Sequence, residues 1–364
     1  MDKANGSIQH PLSFVRGLRN IALFLVAFGV VTCFLVPPQS LDVVLRAKLD
    51  YFKQHKDEFG IVFLGTSRVY RCFDARLFDQ EIAGYGHRLR SFNFGLPYHR
   101  AHEIDVFVDE LLAMQPQRLK HVAIELMSWD PTILEKIATH DRTIHWHTPS
   151  QTISACRTIW LVDAPLAKKI EWWSTHLSNF CAKYTNHGGA TRWISLANEH
   201  PGEYQWRKRM IERHSGFIAL DDERDPAYAG RRQYFRNAFV PMDGRGEVRL
   251  YELFLEQVAE IPEENAVLGT LERFNLTAQL HQQTKIKRQG IKPIYVLPNV
   301  RFGTPDLNEL RDRDLLEDVL TYNHPQQYPA IYIRDNYWDR GHLNKQGAAE
   351  FTRLFAKDMA KLME

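Results

Sequence analysis

Two short stretches near opposite ends of this 364-residue chain hold residue types that could do nucleophilic chemistry. The first reads Ile61-Val62-Phe63-Leu64-Gly65-Thr66-Ser67-Arg68. A serine hydroxyl is a weak nucleophile until a neighbouring base takes its proton. The second, Asp339-Arg340-Gly341-His342-Leu343-Asn344, offers such a base. An acid three residues before a histidine can orient the imidazole and stabilise its protonated form. Ser67 would be the nucleophile, His342 the base and later the acid, and Asp339 the orienting carboxylate. Each stretch also has a plainer reading. Gly-Thr-Ser after a strand is a common turn, and an aspartate at a helix start often only caps free N–H groups. It is the two together, in this order, that point to catalysis.

Elements must bring these stretches together. Ile61–Leu64 reads as a short buried strand, which places Ser67 at the carboxyl edge of a sheet, where α/β enzymes keep their chemistry. A helical stretch follows through Phe73–Phe78 to about Ile82. Ser91-Phe92-Asn93-Phe94-Gly95 reads as a second strand, Ala101 to Met114 as an amphipathic helix closed by Pro116, and His121–Leu126 as a third strand. After a long interruption the rhythm returns, with a helix over 264–288, a strand over Ile291–Pro298 and a charged helix over 306–321. A last strand over Ala330–Ile333 and a helix over Asn344–Leu362 complete it. Strands alternating with helices predict a doubly wound, parallel α/β sheet. Between about 128 and 263 the pattern is lost in a stretch rich in Trp, His and Arg. Helices are expected there near 164–184 and 246–260, forming an insertion over the active edge.

The N-terminal segment Ile21–Val36 has no charge and follows Lys3, Arg16 and Arg19. It predicts an uncleaved membrane anchor over 21–37, with residues 1–20 cytoplasmic and the remainder outside. Pro37-Pro38 ends that helix. A juxtamembrane helix is expected over 38–57, and residues 58–364 would form the sheet domain.

Charge is nearly balanced, 46 Lys+Arg against 44 Asp+Glu, which gives no support to a nucleic-acid partner. Twelve per cent aromatic residues, eight of them Trp, suit a sugar- or lipid-facing surface but are equally ordinary core material. Of the four cysteines, Cys156 and Cys181 could pair in an oxidising compartment, which spacing alone does not establish. His145-x-His147 has no third ligand at convincing spacing, so no metal is expected, and nothing calls for a cofactor.

Gly65-Thr66-Ser67 after one strand, Gly95 after the next and Asp339-x-x-His342 near the C-terminus resemble the SGNH/GDSL hydrolase superfamily. The fuller pattern Tyr337-Trp338-Asp339-Arg340-Gly341-His342-Leu343-Asn344, followed by Gly347-Ala348, is similar to its membrane-anchored branch, which includes the D protein of teichoic-acid D-alanylation and the alginate O-acetylation proteins. That resemblance spans roughly 58–126 and 291–362 and implies a flavodoxin-like three-layer fold. It further implies a single-pass protein of a bacterial cell membrane with a periplasmic domain. Such a protein would O-acylate, most simply acetylate, a cell-surface glycopolymer beside a membrane-bound O-acyltransferase partner. An esterase of the same polymer and a non-catalytic accessory scaffold are the alternatives. The resemblance makes the N–H groups of Ser67 and Gly95 the oxyanion donors. The family's Gly-x-Asn-Asp block is missing, and Ser128 stands where its asparagine is sought. Arg68, Ser128 and Trp338 are the candidate substrate contacts.

Overall fold

Four consecutive apolar residues form β1 (Ile61–Leu64), and their side chains enter two different cores by turns. Ile61 and Phe63 face one layer, Val62 and Leu64 the other. A strand buried on both faces reads as an unbroken apolar run because neither side meets water. This computed structural model describes residues 11–35, 42–132, 138, 140–185, 201–239, 270–299 and 315–364.

β1 pairs in parallel with β2 (Ser91–Asn93) on one side and β3 (His121–Glu125) on the other; β4 (Lys292–Leu297) and β5 (Val319–Thr321) extend the sheet. The strand order is β2-β1-β3-β4-β5. One face is covered by α2 (Val43–His55), α5 (Ala101–Ala113) and α11 (Thr270–Lys287). The other is covered by α3 (Ser67–Cys72), α4 (Ala75–Gly84) and α12 (Lys345–Met363). Phe63, Phe73, Phe78, Phe351 and Phe355 form the aromatic centre of that second face, with ring centroids 4.8–5.8 Å apart. The interrupting segment contributes α6 (Asp141–Trp146), α7 (Pro149–Ile159), α8 (Leu166–Thr185), α9 (Pro201–His214) and α10 (Pro226–Phe239).

Several expectations are corrected. The helical stretch after Ser67 is two helices, divided where Asp74 caps α4 by accepting from the N–H groups of Arg76 and Leu77. The fifth strand is Val319–Thr321, inside the expected charged helix, whereas 330–333 is turn. The expected helix over 246–260, most of that over 306–321, and residues 1–10 and 36–41 lie outside the described residues.

The anchor is corrected too. The segment forms part of α1 (Pro11–Leu35), whose side chains from Val15 to Val31 are largely exposed. Among the described residues, however, no helix is long and apolar enough to cross a membrane. Sixteen uncharged residues span only about 24 Å as a helix, against a hydrocarbon core of about 30 Å. The single-pass topology and the bilayer as a partner therefore fall. The helix expected as a juxtamembrane connector also changes role. In α2, Leu45, Ala47, Tyr51 and Phe52 are core residues.

Among them lies Lys48, fully buried, whose Nζ donates to Asn93 O at 2.8 Å and Gly95 O at 2.7 Å and sits 3.9 Å from the Tyr70 ring centroid. Burial, then the nearby Arg71, pushes its ammonium well below the usual lysine range. Lys48→Met keeps most of the apolar stem but leaves both carbonyls without this donor. Urea denaturation should show a loss of about 2–4 kcal/mol. A loss below about 1 kcal/mol would mean that the carbonyls find other partners.

Candidate active site

Ser67 is the first residue of α3, and Thr66 caps the helix by accepting from the Arg68 N–H at 3.2 Å. The turn from β1 into α3 depends on Gly65. A Cβ there would lie 2.3 Å from Val69 Cγ2 and 2.7 Å from Glu125 Cβ, so only glycine lets the end of β1 pass so near β3. Glu125, buried at the end of β3, accepts the Thr66 N–H at 2.6 Å through Oε2. Its Oε1 lies 3.4 Å from Arg68 Nη1. Arg68 is thus held beside the serine by an ion pair within the fold.

The histidine arrives on a two-stranded antiparallel hairpin, β6 (Tyr337–Asp339) and β7 (His342–Leu343), which leads into α12. Asn344 caps α12 by accepting the Gly347 N–H at 2.9 Å. The hairpin sets Asp339 opposite His342, and His342 Nδ1 lies 2.7 Å from Asp339 Oδ1. His342 Nε2 lies 2.8 Å from Ser67 Oγ. An ionised carboxylate only accepts, so the ring proton belongs on Nδ1, and the Nε2 lone pair faces the hydroxyl. The structure thus brings together Ser67, His342 and Asp339 across 275 residues of chain.

Asp339 has further partners. Its Oδ1 also accepts the Gly341 N–H at 2.9 Å, and its Oδ2 accepts from Arg231 Nη2 on α10. Burial alone would push the Asp339 carboxyl up. The His342 ring, the Gly341 N–H and the Arg231 guanidinium outweigh burial and hold it well below the usual carboxylate range. Arg231 also comes within 3.5 Å of His342 Nδ1, a contact of charge with ring, since that nitrogen's proton goes to Asp339.

The remaining candidates sit elsewhere. The Gly95 N–H donates to Asn93 Oδ1 at 2.9 Å, and a Cβ on Gly95 would lie 2.4 Å from Tyr70 N. Gly95 is therefore a close-packing residue against α3, with its N–H engaged by the Asn93 side chain. Trp338 is buried, donates from Nε1 to Tyr228 O at 3.1 Å, and carries Arg232 over its ring at 4.3 Å. It joins the hairpin to α10. Ser128 is half-buried beyond the carboxyl end of β3. Cys72 is no rival nucleophile, since burial pushes its thiol up to about 12. Cys156 and Cys181 are free thiols. His145 lies 2.5 Å from a Glu110 oxygen and His147 Nε2 lies 3.0 Å from His176 Nδ1. Among the described residues no His, Cys, Asp and Glu cluster could hold a metal.

Sequence reasoning missed Arg231, Glu125 and Asn93 as parts of this site. Arg231 carries no local signal, because its partner lies 108 residues away. Glu125 did carry one: a carboxylate ending an apolar strand must find donors if buried.

Comparison of the chain with family models, curated proteins and solved structures finds no match. The resemblance to the SGNH/GDSL superfamily is corrected accordingly. It rested on fourteen residues in three short patches, and the absent Gly-x-Asn-Asp block already departed from it. With no spanning helix among the described residues, the membrane-anchored branch, the periplasmic location and the acyltransferase partner lose their basis. So does O-acylation of a cell-surface glycopolymer.

The Arg231 pair has a measurable acid signature. A carboxyl held low in the folded state adds stability that is present above its unfolded pKa of about 3.9 and is lost as pH falls through the folded value. Arg231→Ala should destabilise by about 1 kcal/mol at pH 6, and the gap to the unaltered protein should narrow only well below the unfolded pKa, at about pH 2. Thermal denaturation at both pH values checks this, and a gap that widens on acidification would contradict it.

Proposed function

We propose that this chain is a serine-dependent hydrolase of carboxylic esters, with Ser67 as nucleophile and His342 as proton carrier. The supporting observation is the hydrogen-bonded series from Ser67 Oγ to His342 Nε2 and from His342 Nδ1 to Asp339 Oδ1. Its position supports the same reading. Ser67 follows β1 and Glu125 ends β3, the neighbouring strands where the order turns from β2-β1 to β3-β4-β5. Open parallel sheets bind ligands at the carboxyl ends of such a pair.

In the reaction, His342 Nε2 takes the Ser67 proton as Oγ bonds to the ester carbon and the carbonyl electrons move onto oxygen. The carbonyl re-forms, the bond to the leaving alcohol breaks, and that alcohol carries away the proton from Nε2. A water then attacks the acyl carbon, His342 takes its proton and returns it to Oγ, and the acid leaves. Asp339 holds the ring in the productive tautomer and offsets the charge gained in each half. With the Gly95 N–H engaged by Asn93, the Ser67 N–H is the available backbone donor for the developing oxyanion. A missing second donor costs about 2.7–4 kcal/mol of transition-state stabilisation, so turnover of simple esters should be slow.

The test uses the purified full chain with p-nitrophenyl acetate. Nitrophenol release should fall at least about 10³-fold in Ser67→Ala and in His342→Ala, and mass spectrometry should find an added mass of about 42 Da on Ser67. Release that persists in Ser67→Ala, or its absence from folded unaltered protein, would refute the proposal.

A further inference from the structure

The opposite end of the same strands holds a hollow of about 660 Å³. It lies where β1, β2 and β3 begin. Gly60 directly precedes β1, Arg88 to Arg90 precede β2, and Lys120 precedes β3. Backbone bonds lock these entries together: Gly60 N–H donates to Arg90 O at 2.8 Å, and Lys120 N–H to Gly60 O at 2.9 Å. Leu89 lies flat over Gly60, where a Cβ would come within 2.7 Å of it, and with Ala83 gives the hollow an apolar patch.

The lining is otherwise cationic. Arg88, Arg90, Arg118 and Lys120 stand against two carboxylates, Glu58 and Asp79. Glu58 is already paired with Arg90 and lies 2.8 Å from His55 Nδ1. Asp79 accepts the Ser91 N–H at 2.8 Å. The nearby Asp57 is held by Lys56 at 2.9 Å and the Gln117 N–H at 2.8 Å, and Glu81 lies 3.5 Å from Arg353. Arg88, Arg118 and Lys120 therefore have no carboxylate partner among the described residues. With four cations against two carboxylates the lining keeps a surplus of two positive charges, which raises the local concentration of anions, and guanidinium forks match tetrahedral oxyanions in geometry.

We propose that this hollow is a binding site for a small phosphate-bearing anion, held by Arg88, Arg118 and Lys120, with an attached organic group against Leu89. Its volume suits a ligand of metabolite size, in the range of about 300–1,000 Å³ common for such sites. The site lies at the amino edge of the sheet, away from Ser67, so its occupancy and ester hydrolysis can be measured separately.

The probe is inorganic pyrophosphate, titrated into the full chain by calorimetry at about 0.15 M salt. Saturable one-to-one binding below about 1 mM is expected, weakened at least tenfold in Arg88→Ala/Arg118→Ala and unchanged in Ser67→Ala. Adenosine diphosphate binding more tightly than pyrophosphate would support the apolar patch as part of the site. The melting temperature of the unliganded double variant should stay within a few degrees of the parent. If it does not, Lys120→Ala provides the same comparison, with affinity expected to fall severalfold. No saturable binding to the parent, or equal affinity in the variants, would overturn the proposal.

Discussion

The placement of the serine depends on one side chain, Asn93. A helix of six residues has no stability of its own, because the cost of nucleating it is not repaid over so short a length. α3 must therefore be fixed from outside. The Asn93 amide does this by donating from Nδ2 to Val69 O and Phe73 O, each at 2.8 Å, so that it closes the carboxyl end of α3. Its Oδ1 accepts the Gly95 N–H, and its own carbonyl accepts from the buried Lys48. Both ends of the amide and the backbone oxygen are thus committed, at a residue with no exposure. An aspartate here could not donate to the two carbonyls, and an apolar residue would orphan all of these groups.

The interrupting segment bears on both halves of the site. On α3, the buried Arg71 donates from Nη1 to Ile218 O at 2.7 Å and pairs with Glu223 at 2.5 Å, while Arg207 reaches the same Glu223 oxygen at 2.6 Å. Burial would push the Glu223 carboxyl up, but the two guanidinium groups hold it below its usual range. On the hairpin, α10 contributes the Tyr228 carbonyl to Trp338 and Arg231 to Asp339. Residues 201–239 therefore touch the helix that carries Ser67 and the hairpin that carries His342 at once. They act as a brace for the 2.8 Å contact between Ser67 and His342.

Much of the sheet was legible because its cause is local. Ile61–Leu64, His121–Glu125 and Lys292–Leu297 are apolar runs bounded by turn residues, and a strand buried on both faces leaves that trace. Ser67, Asp339 and His342 stood out through residue type and order. What was not legible depends on distant partners. Val319–Thr321 is half-buried at the sheet edge, so its helix-like charge pattern misled. Nothing local marks Lys48, because its acceptors, Asn93 O and Gly95 O, lie more than forty residues away. Gly95 was an oxyanion donor only as the resemblance implied, whereas its N–H goes to the Asn93 side chain and its backbone packs close to Tyr70.

Two carboxylates lie near the serine, and geometry separates their roles. Glu125 is the more deeply buried, but its Oε2 serves the Thr66 N–H and its Oε1 faces Arg68. It fixes the turn that aims Ser67. Asp339 is divided differently, with Oδ1 serving the ring and the Gly341 N–H and Oδ2 serving Arg231. A carboxylate gripped at both oxygens cannot rotate, which holds the imidazole plane fixed. The same grip shares its charge between two cations, since any positive charge gained by His342 lies close to Arg231. The arrangement thus favours orientation of the ring over stabilisation of the imidazolium. Removing Arg231 would free the charge of Asp339 at the expense of its aim.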